Sequence, residues 1–157
     1  MIRTVKEQDL PAITTIIKTT LEEHIIESGG APDLVTEEFL RSTLEKSSML
    51  VTEFQGEVIG YLQYQVCPPN LIINGTAIQP EHQRNGHGES MFAVAAQEAT
   101  YSCCQEVIIS VQPSNRGIYQ LYKRLGFKEG ENPSGWNQEL RMSMKKTLTL
   151  LKKRKTI

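Results

Sequence analysis

The sequence lacks an excess of charge of either sign and lacks long apolar runs. Its 157 residues include 17 basic and 18 acidic side chains, a formal net charge of −1 at pH 7. A general attraction to nucleic acid or to acidic membranes is therefore not expected. No apolar run reaches the roughly 20 residues that cross a bilayer, and the first residues, MIRTVK, do not resemble a signal peptide. These absences predict a soluble cytoplasmic protein with no membrane partner.

Cysteine is also scarce, with only Cys67, Cys103 and the adjacent Cys104 present. An odd number of cysteines without a CxxC spacing does not indicate a disulfide framework or a metal site. No other spacing in the chain predicts a metal ligand set. Nothing places a histidine beside Cys67 or Cys103, so a cysteine nucleophile is not indicated either. We interpret the cysteines as small apolar core residues.

What the chain does contain is an ordered series of apolar periodicities. They predict strands at 2–5, 49–54, 58–66, 71–79 and 107–111, two further strands starting at Phe127 and Gln138, and helices after Asp9, after Thr36, from residue 92 and at 115–125. The order is βααβββαβαββ. Consecutive strands favour antiparallel pairing, and the later strand–helix–strand units favour a mixed α/β sheet. We expect a mostly antiparallel mixed sheet flanked by about four helices.

Local signals refine these elements. Asp9 and Thr36 are typical helix N-caps, and Phe39, Leu40 and Leu44 would form the buried face of the second helix. The third helix would bury a stripe of small side chains, namely Ala95, Ala96, Ala99 and Cys103. The length fits one domain, which we place at residues 1–146. Residues 147–157 form a basic tail, interpreted as solvated, with contact to RNA or an acidic partner as the alternative.

The stretch HQRNGHG, residues 82–88, separates a predicted strand from an alanine-rich helix. Asn85–Gly86 alone favours a hairpin turn. Because a helix follows, however, the glycines fall where unpaired backbone N–H groups and the helix dipole favour an anion. Glycines there would let the backbone approach phosphate oxygens closely. The spacing matches neither a Walker loop nor the dinucleotide fingerprint, so another diphosphate ligand is indicated.

These residues resemble a known family. The run Gln83-Arg84-Asn85-Gly86-His87-Gly88 is similar to the Gln/Arg-x-x-Gly-x-Gly/Ala signature of GNAT N-acetyltransferases, which use acetyl-CoA. The longer stretch AIQPEHQRNGHG, residues 77–88, resembles the family's strand and proline before that loop. The stretch VQPSNRGIYQLYKRLGF, residues 111–127, is similar to its second signature. The resemblance covers roughly residues 1–145 and implies the GNAT fold.

The resemblance also implies roles for individual residues. The backbone of Ile78 and its neighbours would contact the pantetheine arm of coenzyme A, and Asn115 would contact it from the other signature. The pyrophosphate would be held by residues 83–89, which are Gln83, Arg84, Asn85, Gly86, His87, Gly88 and Glu89. Tyr122 would protonate the leaving thiolate, since a phenol with a pKa near 10 is protonated at pH 7. A purely packing role for Tyr122 stays open, and Tyr119 is the competing phenol.

The general base and the amine acceptor are less defined. Asn74 lies near the place where many family members carry a glutamate, and an amide cannot accept the proton. Such a site favours amines of low pKa, or proton removal through water. Two loops, residues 27–35 and 131–137, would wall the acceptor side. Our hypothesis is that Glu27, Asp33 and Glu131 attract a cationic amine and that Trp136 stacks on it.

The sequence therefore predicts an acyltransferase that moves the acetyl group of acetyl-CoA directly to a primary amine of a small molecule or of a protein. No metal is expected. The chain would be a monomer or a homodimer. The alternative is a non-catalytic module that senses or binds acyl-CoA.

Overall fold

The computed structural model describes residues 1–27, 35–111, 120, 123, 127–130 and 142–147, with side chains of 21–27, 110–111, 129–130 and 142–147 outside the description. Two compact units are present. The first comprises Met1–Gln65 and Asn74–Ala95, and the second comprises Val66–Ile73 and Ala96–Ile157. The assignment of residues 1–146 to a single domain stays a prediction.

The described elements follow one another as strands and helices of a mixed α/β protein. They are β1 Ile2–Thr4, α1 Leu10–Glu27, α2 Glu37–Thr43, β2 Ser48–Phe54, β3 Glu57–Cys67, β4 Asn70–Ile78, α3 His87–Tyr101, β5 Glu106–Val111, β6 Lys128–Gly130 and β7 Met142–Thr147. Of the helix expected at 115–125, only Gln120 and Lys123 are described, and both are helical. The other residues of that segment, and residues 138–141 of the last predicted strand, lie outside the described residues. None of the helices described is long and apolar enough to cross a membrane.

The strands of the first unit run in the order β1-β2-β3-β4. β1 pairs with β2, and β2 with β3, in antiparallel fashion. The β2–β3 turn consists of Gln55 and Gly56, whose φ angles of 52° and 82° are those of a two-residue hairpin turn. The hairpin predicted around Gln55–Gly56 is confirmed.

The core of the first unit packs the inner faces of α1 and α2 against the strands. Its buried members are Leu10, Ile13, Ile16, Ile17, Val35, Leu40, Met49, Val51, Tyr61 and Ala77. Thr36 caps α2 as predicted, since its Oγ1 accepts the Phe39 N–H at 3.1 Å. The prediction for the Phe39 side chain is wrong, because it is 52% exposed. A helix of two turns has one buried stripe, and Leu40 and Leu44, four residues apart, occupy it.

The N-cap predicted at Asp9 is also wrong. Asp9 lies in a 3₁₀ turn, Glu7–Asp9, that precedes α1. Its carboxylate accepts the Lys6 N–H at 2.7 Å and two Arg3 N–H groups at 2.7 and 2.9 Å. Arg3 Nε also donates to the Glu53 carboxylate at 2.8 Å. These three charged residues, Arg3, Asp9 and Glu53, are called the Arg3 cluster below, and they join β1, the 3₁₀ turn and β2.

The second unit contains the first half of β4 and the strands that follow, in the order β4-β5-β7-β6. β4 and β5 are parallel from Asn70↔Glu106 to Ile73↔Ile109. β7 is antiparallel to both β5 and β6. The mixed sheet is therefore confirmed.

The small-residue stripe of α3 is confirmed at Ala95, Ala96 and Ala99, which are fully buried. It does not extend to Cys103. The helix ends at Tyr101, and Cys103 follows in a turn with φ 67° and an exposed side chain. Cys67 is exposed as well, so the core role predicted for the cysteines is correct only for Cys104, which is buried.

Candidate functional site

The candidate site begins where β4 ends. Proline cannot donate to a strand ladder, and Pro80 opens a 3₁₀ turn, Pro80–His82, directly after the strand. The Gln79 N–H still donates to the Ile59 carbonyl at 2.8 Å. Residues 83–88, called the glycine loop below, then lead into α3, whose first residue is His87.

A glycine in β3 lets the end of β4 lie close to β3. The β2–β3 register shifts between Thr52 and Glu53, which leaves Ile59 as the extra residue of a β-bulge. Next to it, a Cβ on Gly60 would lie 2.3 Å from Ile78 Cδ1 and 3.0 Å from the Ala77 carbonyl oxygen. A side chain there would displace the tip of the Ile78 side chain and crowd the Ala77 carbonyl. The bulge and Gly60 therefore lie against the end of β4, from which the glycine loop departs.

The backbone of the loop is unusual at two positions. Arg84 has φ 66° and Gly86 has φ 81°, both in the left-handed region. The Gly86 carbonyl accepts the Ser90 N–H at 3.0 Å, the first hydrogen bond of α3. The N–H groups of His87, Gly88 and Glu89 therefore have no carbonyl of their own helix to bind. With the helix dipole, they form a positive end suited to an anion.

The space around these N–H groups is open. A Cβ placed on Gly86 or on Gly88 would meet no atom of the protein within 4 Å. The positive φ of Gly86 explains glycine at that position, but no positive φ accompanies Gly88. Nothing inside the protein requires Gly88 to lack a side chain. The open surface above it fits an approaching phosphate group.

Two side chains tie the loop to the residues that precede it. Gln83 Nε2 donates to the Ile78 carbonyl at 2.9 Å, and Asn85 Nδ2 lies 3.5 Å from the His82 carbonyl. The Gln83 contact is a feature that the sequence pattern did not reveal, because it joins a side chain to a backbone group. The Ile78 carbonyl, expected to contact pantetheine, retains a second lone pair for a ligand.

The remaining loop side chains form a partly exposed rim. Arg84 and Glu89 are exposed, and His87 is half-buried. The His82 ring lies 5.1 Å from the Phe54 ring and 6.5 Å from the His87 ring, measured between centroids. This aromatic group was not predicted, since Phe54 lies at the end of β2, far from the loop in sequence. It fixes the 3₁₀ turn on which the loop rests.

Several predicted functional residues lie outside the described residues. They are Asn115, Tyr119, Tyr122, Asp33, Glu131 and Trp136. Glu27 ends α1, and its side chain is not described. Asn74 is described: it is exposed, and its Nδ2 donates to Gln65 Oε1 at 3.1 Å. An amide at this point of β4 offers no base. In the described part of the chain, no group of three or more His, Cys, Asp or Glu residues could hold a metal ion.

Comparison with known proteins places this geometry in context. The profile of the acetyltransferase (GNAT) family matches residues 14–127. A protein of Sulfurisphaera tokodaii, named N-alpha-acetyltransferase, is 30% identical over 98 residues, which is 54% of this chain and 58% of that protein. A Bacillus subtilis relative is 28% identical over 81 residues, 52% of this chain and 54% of its own length. The chain thus spans little more than half of the curated relatives it matches.

Solved structures share the fold. A ribosomal-protein-alanine N-acetyltransferase from Brucella melitensis has a TM-score of 0.69 at 22% identity, covering 94% of this chain and 99% of that one. The PaiA N-acetyltransferase of Thermoplasma acidophilum, solved in complex with coenzyme A, has a TM-score of 0.70 at 17% identity, covering 94% and 98%. The profile match extends over more than half of the sequence and includes the whole glycine loop. The chain belongs to the GNAT acetyltransferase family.

Proposed function

We propose that the chain is an N-acetyltransferase that moves the acetyl group of acetyl-CoA directly to a primary amine, with a protein α-amino group as the preferred acceptor. One observation carries the proposal. The first N–H groups of α3 have no acceptor within the helix. A Cβ placed on Gly86 or Gly88 would meet no protein atom within 4 Å, so the space beside these groups is open. Family membership supplies the reaction class.

The residues present fit coenzyme A. The N–H groups of His87, Gly88 and Glu89 would hold the pyrophosphate, and the Arg84 side chain, exposed on the same loop, would add a positive charge. The backbone around Ile78 would orient the pantetheine arm, with Asn115 as its partner. When bound, acetyl-CoA supplies an acetyl thioester that is activated toward amines.

The reaction needs a proton donor for the departing thiolate and a base for the amine. Tyr122 would donate a proton to the departing thiolate, because a phenol near its ordinary pKa of about 10 is protonated at neutral pH. Tyr119 is the alternative donor. Asn74, in the middle of β4, carries an amide and cannot serve as the base.

An amide instead of a carboxylate at Asn74 favours one class of acceptor. A lysine amine has an ordinary pKa near 10.4, whereas an α-amino group is near 8 and is partly unprotonated at pH 7. An acceptor that arrives as a free amine needs no strong base. The names of two relatives, an N-alpha-acetyltransferase and a ribosomal-protein-alanine N-acetyltransferase, agree with this choice. A small-molecule amine of similarly low pKa is the second class.

The test is thiol release from acetyl-CoA with matched acceptors. One peptide with a free N-terminal alanine is compared with the same peptide blocked at its N-terminus and carrying a lysine, and with a polyamine. We expect turnover with the first peptide and a large loss in Tyr122→Phe, with Tyr119→Phe as the matched control. Faster turnover of the blocked lysine peptide would contradict the α-amine assignment.

A second function, a non-catalytic acyl-CoA sensor, is favoured by one observation, the exposed amide of Asn74 where a base would be useful. Binding and turnover separate the two. Acetyl-CoA that binds tightly in calorimetry, yet is not consumed with any acceptor, would support the sensor and contradict the enzyme.

A further inference from the structure

The three cysteines lie in two segments near Pro69: Cys67 is the last residue of β3, and Cys103 and Cys104 follow the end of α3. The Pro69 carbonyl accepts the Gln105 N–H at 2.7 Å and the Glu106 N–H at 3.2 Å. The parallel ladder of β4 and β5 starts one residue later, at Asn70↔Glu106. The end of β3, with Cys67, and the segment with Cys103 and Cys104 therefore lie at the same end of this ladder, within the second unit.

The side chains of Cys67 and Cys103 are exposed, whereas that of Cys104 is buried. Cys103 has φ 67°, the left-handed conformation that commonly follows the end of a helix. There the Cys104 N–H donates to the Ala99 carbonyl at 2.9 Å.

The two Pro69 hydrogen bonds hold the segment after Cys67 against the segment after Cys104. Burial raises the pKa of the Cys104 thiol above its ordinary value, and the neighbouring Cys67 and Cys103 raise it further. Cys104 therefore stays protonated at neutral pH. An oxidant in solution would meet an exposed cysteine first, because reactivity follows exposure and thiolate character.

We propose that Cys67, Cys103 and Cys104 form an oxidation site in which hydrogen peroxide closes an intramolecular disulfide between Cys67 and the Cys103–Cys104 pair. In the first step, the Cys67 thiol takes one peroxide oxygen and becomes a sulfenic acid, and one water is released. In the second, a thiol of the pair attacks the Cys67 sulfur, the S–S bond forms, and the sulfenic oxygen leaves as a second water. Two thiols are oxidised and one peroxide is reduced.

The disulfide would enclose the segment that carries the candidate site. β4, the glycine loop and α3 all lie between Cys67 and Cys103 in the chain. A cross-link over such a segment restricts the unfolded chain and raises the folded state's stability. Oxidation would then be read out as a higher melting temperature that a reductant reverses.

The experiment uses the full-length protein, first reduced and then treated with hydrogen peroxide at low molar excess. Remaining thiols are alkylated, and the protein is digested with trypsin under non-reducing conditions. Because trypsin cuts after Arg84, Cys67 and the Cys103–Cys104 pair fall on different peptides. Mass spectrometry should find these two peptides linked, on a monomeric gel band, with two hydrogens fewer than the sum of the peptides and one alkyl group on the remaining cysteine. Dithiothreitol should abolish the link and the rise in melting temperature.

Single variants complete the test. Cys67→Ser changes an exposed residue and should eliminate both the link and the rise in melting temperature. One of the two variants Cys103→Ser and Cys104→Ser should keep the link. The variant that loses it identifies the partner thiol. A bond between Cys103 and Cys104 within one peptide, a disulfide between two molecules, or Cys67 oxidised to sulfinic acid without a link would overturn the proposal.

Discussion

The Arg3 cluster and the glycine loop both lie in the first unit, and they use their polar groups in opposite ways. In the cluster, the Asp9 carboxylate is 5% exposed and accepts hydrogen bonds from Arg3 and from the Lys6 backbone. In the loop, the N–H groups at the start of α3 have no intrahelical acceptor, and the space above Gly86 and Gly88 is open. Charged groups whose hydrogen bonds are made within the protein hold its elements together. N–H groups that lack an acceptor and face open space are available to a ligand.

The largest effect is expected from breaking the cluster. Asp9→Ala removes a buried carboxylate. It leaves the Arg3 guanidinium with Glu53 and the Thr4 carbonyl, and the Lys6 N–H without its acceptor. Removing one partner of a buried ion pair costs about 3–5 kcal/mol, and the retained Glu53 contact should reduce this to about 2–4 kcal/mol of the free energy of unfolding. Urea unfolding monitored by circular dichroism measures it. Acetyl-CoA affinity per folded molecule should not change, and a parallel loss of affinity would show that the two regions are not independent.

A substitution in the glycine loop should leave stability unchanged and weaken acetyl-CoA binding. Gly88→Asp places a carboxylate where the structure has room, in the first turn of α3, where the dipole stabilises negative charge by about 0.3–1 kcal/mol. The same charge would repel the pyrophosphate. We expect an unchanged or higher melting temperature together with at least a tenfold weaker Kd for acetyl-CoA, roughly 1.4 kcal/mol.

Gly88→Ala is the matched control for this variant, because it adds a Cβ that meets no protein atom within 4 Å and adds no charge. Its Kd, measured by calorimetry, should be weakened much less than that of Gly88→Asp. If Gly88→Asp bound acetyl-CoA as tightly as Gly88→Ala, the phosphate would have to lie elsewhere.

A smaller, gradual effect is expected from pH. The hydrogen bonds from Arg3 lower the pKa of the Asp9 carboxyl below its ordinary value, and the Lys6 N–H adds to this. A carboxyl with a lowered folded-state pKa stabilises the fold above its unfolded pKa of about 3.9. That contribution is lost as the pH falls from about 4 through the folded-state pKa. Denaturation curves between pH 6 and 2.5 should show the wild type losing its advantage over Asp9→Asn, and a constant difference would contradict the assignment.

The smallest effect is expected at a second ion pair, between Arg41 and Glu7. Arg41 Nε donates to Glu7 Oε1 at 2.9 Å, but the two side chains are 49% and 68% exposed. Water and salt screen such a pair, and long side chains lose freedom in forming it. Arg41→Gln should leave the melting temperature within measurement error. A loss of stability comparable to that of Asp9→Ala would mean that the difference in burial does not determine how much each ion pair stabilises the fold.

The sequence predicted the parts of the molecule that depend on local signals. The β2–β3 turn required residues that tolerate positive φ, and Gln55–Gly56 supplied them. The cap of α2 and the alanine stripe of α3 also follow from neighbouring residues. The glycine loop could be found because its proposed function depends on backbone groups at a fixed spacing.

The errors concern contacts between distant parts of the chain. Asp9 has the chemistry of a cap, but Arg3 and the Lys6 N–H bind its carboxylate, and Glu53, part of the same cluster, comes from β2. Phe39 is exposed because α2 is too short to bury a second stripe. The contact between Phe54 and His82 likewise joins two segments that no periodicity relates.

The Asn85–Gly86 pair also bears on how long the protein lasts. An asparagine followed by glycine is the dipeptide in which the next backbone nitrogen most easily attacks the side-chain amide, with loss of ammonia, because glycine offers no steric hindrance. Asn85 is exposed, and its amide has only a distant contact with the His82 carbonyl, at 3.5 Å. The product carries an aspartate or isoaspartate in a loop proposed to bind an anion. The Asn85–Gly86 pair is therefore a site of slow deamidation, and stored protein should lose acetyl-CoA affinity as it gains one unit of negative charge.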